Sequence, residues 1–225
     1  MNKIFNVLLA GTMLLTPGCI KYYELSESET PQATALDDQR EIVALARRSI
    51  TVYNGFETRA IFNTIGLFDP VRAAYVERYT EKRGITGDAR EQLLKRQLEE
   101  NKHWLSFYVL ADVRDKTNPG LGEPAATWTL SACIDKEELV IESIKEVDLE
   151  PEYQKLFGTT FNLFKTAYLA KFAISELQAS QLSDLQFKQV SLHICSPYKR
   201  ATMRWHHADF TSKTKVLCDE DLYWC

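Results

Sequence analysis

A two-residue alternation of apolar and polar side chains runs through much of the sequence after Lys102, and it restricts the fold more than any other feature. Alternation at this period is typical of β-strands, because successive side chains of a strand point to opposite faces of the sheet. Turn-forming residues follow two of the segments, at 118–120 and at 196–198. The predicted strands are Trp104 to Val113, Ala125 to Ile134, Glu138 to Ile144, Phe187 to Cys195 and Ala201 to His206.

Two further β segments precede this region. Ile50 to Tyr53 and Thr58 to Ile65 are rich in β-branched and aromatic residues, and the turn dipeptide Asn54-Gly55 lies between them, so we expect a hairpin. The segment Phe161 to Phe172 fits both the helical and the strand period, and we interpret it as a strand from Thr166 onward.

A helical hairpin is predicted between these β regions. Asp69-Pro70 places proline in the first turn of a helix that Gly84 ends. Asp88 and Glu91 have the spacing of a capping box and predict the start of a second helix. Only a few residues separate the two helices, so we expect them to pack antiparallel.

Two other helices complete the expected fold. Asp38 and Glu41 predict an N-terminal helix that ends near Ser49, and Pro151 to Phe157 predicts a short one. Consecutive strands with a single helical hairpin favour an α+β fold that is mainly β. We therefore predict an antiparallel β-sandwich or barrel-like domain with an inserted helical hairpin and an N-terminal helix.

The N-terminus has the order of a secretory signal. Lys3 is followed by a mainly apolar run of twelve residues, Ile4 to Leu15, and then by Thr16-Pro17-Gly18 before Cys19. A membrane-spanning helix needs about 20 apolar residues, whereas the apolar part of a signal needs about 7 to 15. The pattern therefore predicts a segment that directs export and is then removed.

Residues Met1 to Cys19 resemble the signal of a bacterial lipoprotein, although Thr16 stands where that family usually has leucine. The resemblance implies that Cys19 receives a lipid and becomes the first residue of the mature chain. Ile20 rather than aspartate follows the cysteine, which implies transfer to the outer membrane if the cell is Gram-negative. An ordinary signal cut after Gly18, which would leave Cys19 free, is the alternative.

The predicted organisation is a signal peptide (1–18), a lipid-bearing flexible tether (19–36) and a single globular domain (37–225). The hydrophobic fraction of 45% and the charged fraction of 26% are those of a globular chain. The formal net charge of −4 and the lack of clustered Lys and Arg argue against a nucleic-acid partner.

Export permits disulfides, and the four cysteines after Cys19 form an even set. They are Cys133, Cys195, Cys218 and Cys225, and four cysteines allow three pairings, among which the sequence does not choose. None of them has the close spacing of a structural zinc site.

Residues that could carry catalysis are few. His193, His206 and Asp209 could ligate a metal across a predicted hairpin, although the adjacent His206 and His207 should point to opposite faces of their strand. Cys195 lies two residues from His193, but no orienting acid is identified for a nucleophilic pair. The sequence assigns no catalytic residue, no cofactor and no metal ligand.

These observations leave three functional hypotheses. The leading one is a membrane-anchored envelope lipoprotein that acts as a non-enzymatic binding or structural module and meets the membrane, and possibly an envelope protein, through its lipid anchor. The second is a metal-dependent envelope hydrolase using His193, His206 and Asp209. The third is a small-ligand carrier with tyrosines and tryptophans around the mouth of its sandwich or barrel.

Overall fold

The computed structural model describes residues 42–54, 56–114, 120–121, 126–183, 186–197 and 199–210. The predicted signal peptide, Cys19, most of the tether and the start of the N-terminal helix lie outside the described residues, as do Cys218 and Cys225.

Eight antiparallel strands form one nearly closed, barrel-like sheet, which confirms the predicted fold class. Their order across the sheet is β1-β2-β3-β6-β5-β4-β7-β8, with each pair of neighbours antiparallel. The strands are β1 Arg47–Asn54, β2 Glu57–Gly66, β3 Trp104–Val113, β4 Thr129–Ile134, β5 Glu137–Glu146, β6 Thr166–Ala173, β7 Gln189–Cys195 and β8 Arg200–His206.

Four helices lie between the described strands: α1 Asp69–Arg83, α2 Asp88–Glu100, α3 Pro151–Phe157 and α4 Glu176–Ser183. The predicted helical hairpin is confirmed, and Gly84 ends α1 in the left-handed conformation, with a φ of 62°. The predicted cap of α2 is wrong: Gly87 is the N-cap, and Asp88 is the first helical residue, without a side-chain capping bond. None of the described helices is long and apolar enough to span a membrane.

The N-terminal helix ends earlier than the sequence predicts. Residues 42–46 are helical, and β1 begins directly at Arg47, so the expected end near Ser49 is wrong. The backbone ladder explains the early end, because Arg47 to Ser49 already pair with β2 at Ile65 to Asn63.

Aromatic side chains fill the inside of the barrel. Trp205 of β8 lies 5.2 Å from Phe107 of β3, measured between ring centroids, and Phe107 lies 6.0 Å from Phe172 of β6. Phe62 of β2 packs edge-on against Trp128, 5.2 Å away. Strands from opposite sides of the sheet therefore share one packed core.

The barrel closes through side chains along a seam between its two outermost strands, β1 and β8. Arg48 Nε donates to the carbonyl oxygen of Arg204 at 2.7 Å, and Arg48 Nη2 pairs with Asp209 Oδ2 at 2.7 Å. Trp205 Nε1 donates to the carbonyl oxygen of Ala46 at 2.8 Å. At the other end of the seam Lys199 Nζ donates to the carbonyl oxygen of Tyr53.

The helices cover only one part of the barrel wall. Tyr153 of α3 packs against Tyr108 on the outer face of β3, with ring centroids 4.7 Å apart, and stacks on Tyr75 of α1 at 4.3 Å. On this side a second hydrophobic layer therefore lies outside the sheet. The outer face of β4, β7 and β8 instead carries mostly half-buried and exposed side chains.

Candidate functional site

Most of the described residues that the sequence singles out for chemistry lie on the outer face of β4, β7 and β8. His193 occupies the middle of β7, with Ser131 of β4 on one side and Thr202 of β8 on the other. Strict alternation places these three side chains outside the barrel, because Leu192 and Met203 are buried inside it.

His193 contacts a cysteine, but it is Cys133 and not Cys195, which is two residues away in the sequence. Its Nδ1 lies 2.9 Å from Thr202 Oγ1, and its Nε2 lies 3.6 Å from Cys133 Sγ. The pair results from the sheet order, since β4 and β7 are neighbours although Cys133 and His193 are far apart in the chain.

The surroundings of this pair keep both groups neutral. Burial raises the pKa of the Cys133 thiol, and the nearby carboxylate of Glu138 raises it further. Burial also lowers the pKa of His193, and the positive charges of Arg200 and Arg204 act in the same direction. A thiolate-imidazolium pair of the kind that activates a cysteine nucleophile is therefore disfavoured here.

The three residues of the predicted metal site do not converge. His193 pairs with Thr202, and His206 lies four residues further along β8, about 13 Å away at the usual rise of a strand. Asp209 binds Arg48 and accepts a hydrogen bond from the His206 backbone NH at 3.2 Å. Within the described ranges no three His, Cys, Asp or Glu side chains are arranged to hold a metal ion.

Cys133 and Cys195 are half-buried free thiols on the same outer face. Cys133 lies opposite Ser191 on β7, four residues along that strand from Cys195, which puts the two about 13 Å apart and too far for a bond. A disulfide of either one would need another cysteine, such as Cys218 or Cys225, so the pairing stays a prediction.

One end of the barrel has an open pocket of about 450 Å³. Buried Trp128 and exposed Tyr53 are part of its lining, which also includes Arg59 and Lys199. The pocket lies where β1 ends and where the β7–β8 turn begins. It is the feature that most resembles the aromatic mouth expected of a small-ligand carrier.

A larger groove lies elsewhere, on the outer side of the wall near the N-terminal helical residues. Its volume is about 670 Å³, and Arg47, Arg78 and Lys155 contribute to its lining. None of its described lining residues is acidic; the others are Val43, Pro151, Gln154, Leu156, Gly158 and Phe161. We call this feature the basic groove.

Three separate elements supply the cations of the basic groove. Arg47 is the first residue of β1, Arg78 belongs to α1, and Lys155 is exposed on α3. Arg47 Nη1 donates to the carbonyl oxygen of Phe157 at 3.2 Å, which is the favourable place for a cation at the C-terminal end of a helix.

Gly158 leaves room for the Arg47 guanidinium to approach the end of α3. Gly158 has a φ of 61°, and a Cβ added there would meet Arg47 Nη1 at 3.1 Å. A side chain at this position would therefore be strained and would also press on the arginine. The local structure at the end of α3 thus fixes one wall of the groove.

A fourth cation, Lys165, extends the positive surface of the basic groove. Lys165 Nζ donates to Asn63 Oδ1 at 2.6 Å and to the carbonyl oxygen of Thr160 at 2.7 Å. A smaller cavity of about 300 Å³ lined by Arg47, Asn63 and Thr160, among others, lies alongside.

Sequence reasoning did not find the basic groove. Arg47, Arg78 and Lys155 lie far apart in the sequence, and only the packing of β1, α1 and α3 brings them together. The one local signal is compositional: residues 153–175 contain Lys155, Lys165 and Lys171 and no acidic residue, in a chain with more acids than bases.

Comparison with known proteins does not identify the chain: no protein-family model matches it, and no curated protein matches it.

Proposed function

We propose that this protein is a membrane-anchored, non-enzymatic binding module of the bacterial cell envelope, and that its basic groove binds an anionic group. The proposal rests on the position of Arg47, Arg78 and Lys155 around one open groove. Guanidinium and ammonium groups bind phosphates and carboxylates through charge-assisted hydrogen bonds.

The place of the groove in the chain supports the same function. Val43, close to the first of the described residues, lines the basic groove, so the groove lies near the beginning of the described part of the domain. If Cys19 carries the lipid that its signal resembles, the anchor holds this part of the domain within a tether's length of the membrane.

Titration with inorganic pyrophosphate tests the groove directly. We expect the purified chain to bind pyrophosphate, and Lys155→Gln to weaken binding about 5-fold to 10-fold, as expected for loss of one charge-assisted contact. Lys145→Gln, which removes the same charge from the exposed part of β5, is the matched control. Equal affinities for the two variants would refute the groove as the binding site.

The predicted lipid anchor at Cys19 has a separate test. Mass spectrometry of the mature protein should find Cys19 at the N-terminus with acyl chains attached. Cys19→Ser should leave the protein without acylation and release it from the membrane fraction. A mature protein that begins at Cys19 without acyl chains would support the ordinary signal peptide instead.

The barrel-end pocket favours a second candidate function, that of a small-ligand carrier. Trp128 lines this pocket and is almost completely buried, so a ligand that enters should change its fluorescence. The test is extraction of purified protein with organic solvent, followed by mass spectrometry of the extract. A small molecule present at stoichiometric amount in the wild type and lost in Trp128→Ala would favour this candidate.

A further inference from the structure

The loop between the short helical turn after α3 and strand β6 presents two large apolar side chains to solvent. Leu163 is 91% exposed and Phe164 is 92% exposed. We call these two residues the apolar tip. Adjacent apolar side chains with this exposure mark interaction sites more often than isolated ones do.

Polar contacts on both sides hold the apolar tip in place. Asn162 Oδ1 accepts a hydrogen bond from the Phe164 backbone NH at 3.0 Å, and the carbonyl oxygen of Asn162 accepts one from the Lys165 NH at 3.3 Å. The two hydrogen bonds of the Lys165 ammonium group tie the end of the loop to Asn63 and Thr160. The tip is therefore a formed turn whose apolar side chains point away from the domain.

The apolar tip is next to the basic groove. Phe161 lines the groove and lies two residues before Leu163, which limits the Cα–Cα distance to about 7 Å. Lys155 and Lys165 flank the tip in the sequence, within the segment 153–175 that has no acidic residue. Apolar and cationic groups thus share one surface.

We infer that the apolar tip and the basic groove form one surface that docks the domain onto a bilayer containing anionic lipids. The inference rests on the proposed function and names the anionic group as a lipid headgroup. Large apolar side chains insert at the boundary of headgroups and acyl chains, and cations beside them attract anionic lipids. The charge of the groove complements such a surface.

The shape of the surface favours a bilayer over a folded protein partner. The apolar part consists of two side chains on a projecting turn, which is much smaller than the apolar centre of a stable protein interface. A projecting turn can enter a soft bilayer without a matching cavity. Docking would fix the orientation of a domain that a flexible tether alone leaves free to rotate.

Fluorescence quenching by lipids tests the inference. The purified full chain carrying Phe164→Trp is reconstituted into phosphatidylcholine vesicles with or without phosphatidylglycerol, and the lipids carry brominated acyl chains. The wild-type spectrum is subtracted to remove the signal of the natural tryptophans. We expect the tryptophan at the tip to be quenched at least about twofold more in the anionic vesicles, as expected for electrostatic attraction to their surface.

Leu177→Trp is the matched control, because Leu177 is also a highly exposed leucine but belongs to α4. It should be quenched equally little in both kinds of vesicle. The double substitution Arg47→Gln and Lys155→Gln should remove the extra quenching of the tip. Circular dichroism of each variant checks that the fold is kept.

Quenching of the tip no stronger than that of the Leu177→Trp control would overturn the inference, as would equal quenching in neutral and anionic vesicles. Pyrophosphate binding separates this failure from failure of the proposed function. If the groove binds pyrophosphate while the tip stays unquenched, the anion site remains and the docking surface is rejected.

Discussion

The barrel wall has two halves that differ in how far the outer face of the sheet is buried. In the half around β2 and β3, helices cover the outer face, so both faces of these strands are largely buried. In the half formed by β4, β7 and β8, apolar residues alternate with polar ones, the inner face is buried, and the outward side chains other than Ser191 are half-buried or exposed. One sheet thus combines the patterns of a doubly covered wall and a wall open to water.

The difference shows where this protein can vary its surface without losing its fold. In the covered half an outward side chain is part of a second core, as Leu110 and Ile65 are, both completely buried. In the open half an outward side chain such as Ser131 contributes little packing. Four experiments test this contrast, in order of decreasing expected effect.

The largest effect should come from an outward residue of the covered half. Leu110→Ala creates a cavity between β3 and the helices, and we expect it to lower the free energy of unfolding by about 3–4 kcal/mol. Ser131→Ala, outward on β4, should change it by less than about 0.5 kcal/mol. Urea unfolding of both variants is the measurement, and equal losses would contradict the contrast.

The second largest effect is expected at Arg72, a buried polar residue that links two of the helices covering the barrel. The side chain of Arg72 is 2% exposed, and its guanidinium donates to Asn101 Oδ1 at 2.6 Å and to Gln97 Oε1 at 2.8 Å, which joins α1 to α2. Arg72→Met leaves those acceptors without their donor, so we expect a loss of about 2–3 kcal/mol.

Arg96→Met on the exposed side of α2 is the control, and it should change stability by less than about 0.5 kcal/mol. Thermal unfolding of the two variants measures the difference. A loss for Arg72→Met as small as that of the control would mean that the helices are held by apolar packing alone.

A smaller effect is expected at the seam, where the open half meets β1. Arg48→Met removes the hydrogen bond to the Arg204 carbonyl and the ion pair with Asp209, so we expect a loss of about 1–2 kcal/mol. Amide exchange should accelerate in β1 and β8 before it does in β3. Arg204→Met is the control, because it keeps the carbonyl group that Arg48 binds; similar exchange in the two variants would contradict this role.

The smallest effect is a pH dependence on the open face. Burial, Arg200 and Arg204 lower the pKa of His193 below the value of about 6.5 that it has in the unfolded chain. The unfolded chain therefore takes up the proton first, so stability should decrease as the pH falls from about 7.5 through 6.5, and level off below the folded pKa.

His193→Gln should remove this part of the pH dependence, and urea unfolding at a series of pH values measures it. Cys133, Glu138, Arg200 and Arg204 are the titratable and charged groups described around the ring, and they are kept in the variant. If the slope of stability against pH is unchanged in His193→Gln, another group is responsible for the pH dependence.

The parts of the fold that follow from local pattern were predictable. The bounds of β3 and the start of β6 at Thr166 were predicted correctly, as was the α1 end at Gly84. Helix α4 was missed, because its apolar residues do not form one stripe: Leu177 is exposed while Gln178 is buried.

The site was less predictable than the fold, because it depends on contacts between distant residues. His193 meets Cys133 only because β4 and β7 are neighbours, and strand order does not follow from alternation. The basic groove likewise needs β1, α1 and α3 to meet before Arg47, Arg78 and Lys155 share a surface. The apolar tip was noticed only as part of an ambiguous segment, since exposure is not visible in a sequence.

The seam also determines how the barrel responds to mechanical load. Residues 42–46 lead into β1 and residues 207–210 follow β8, so both ends of the described chain lie at the Arg48–Asp209 end of the seam. A force that pulls these ends apart acts across the seam and breaks its contacts one after another, beginning with Arg48–Asp209 and Trp205–Ala46. Peeling of this kind needs less force than sliding whole strands past each other, so the barrel should open from this corner when stretched.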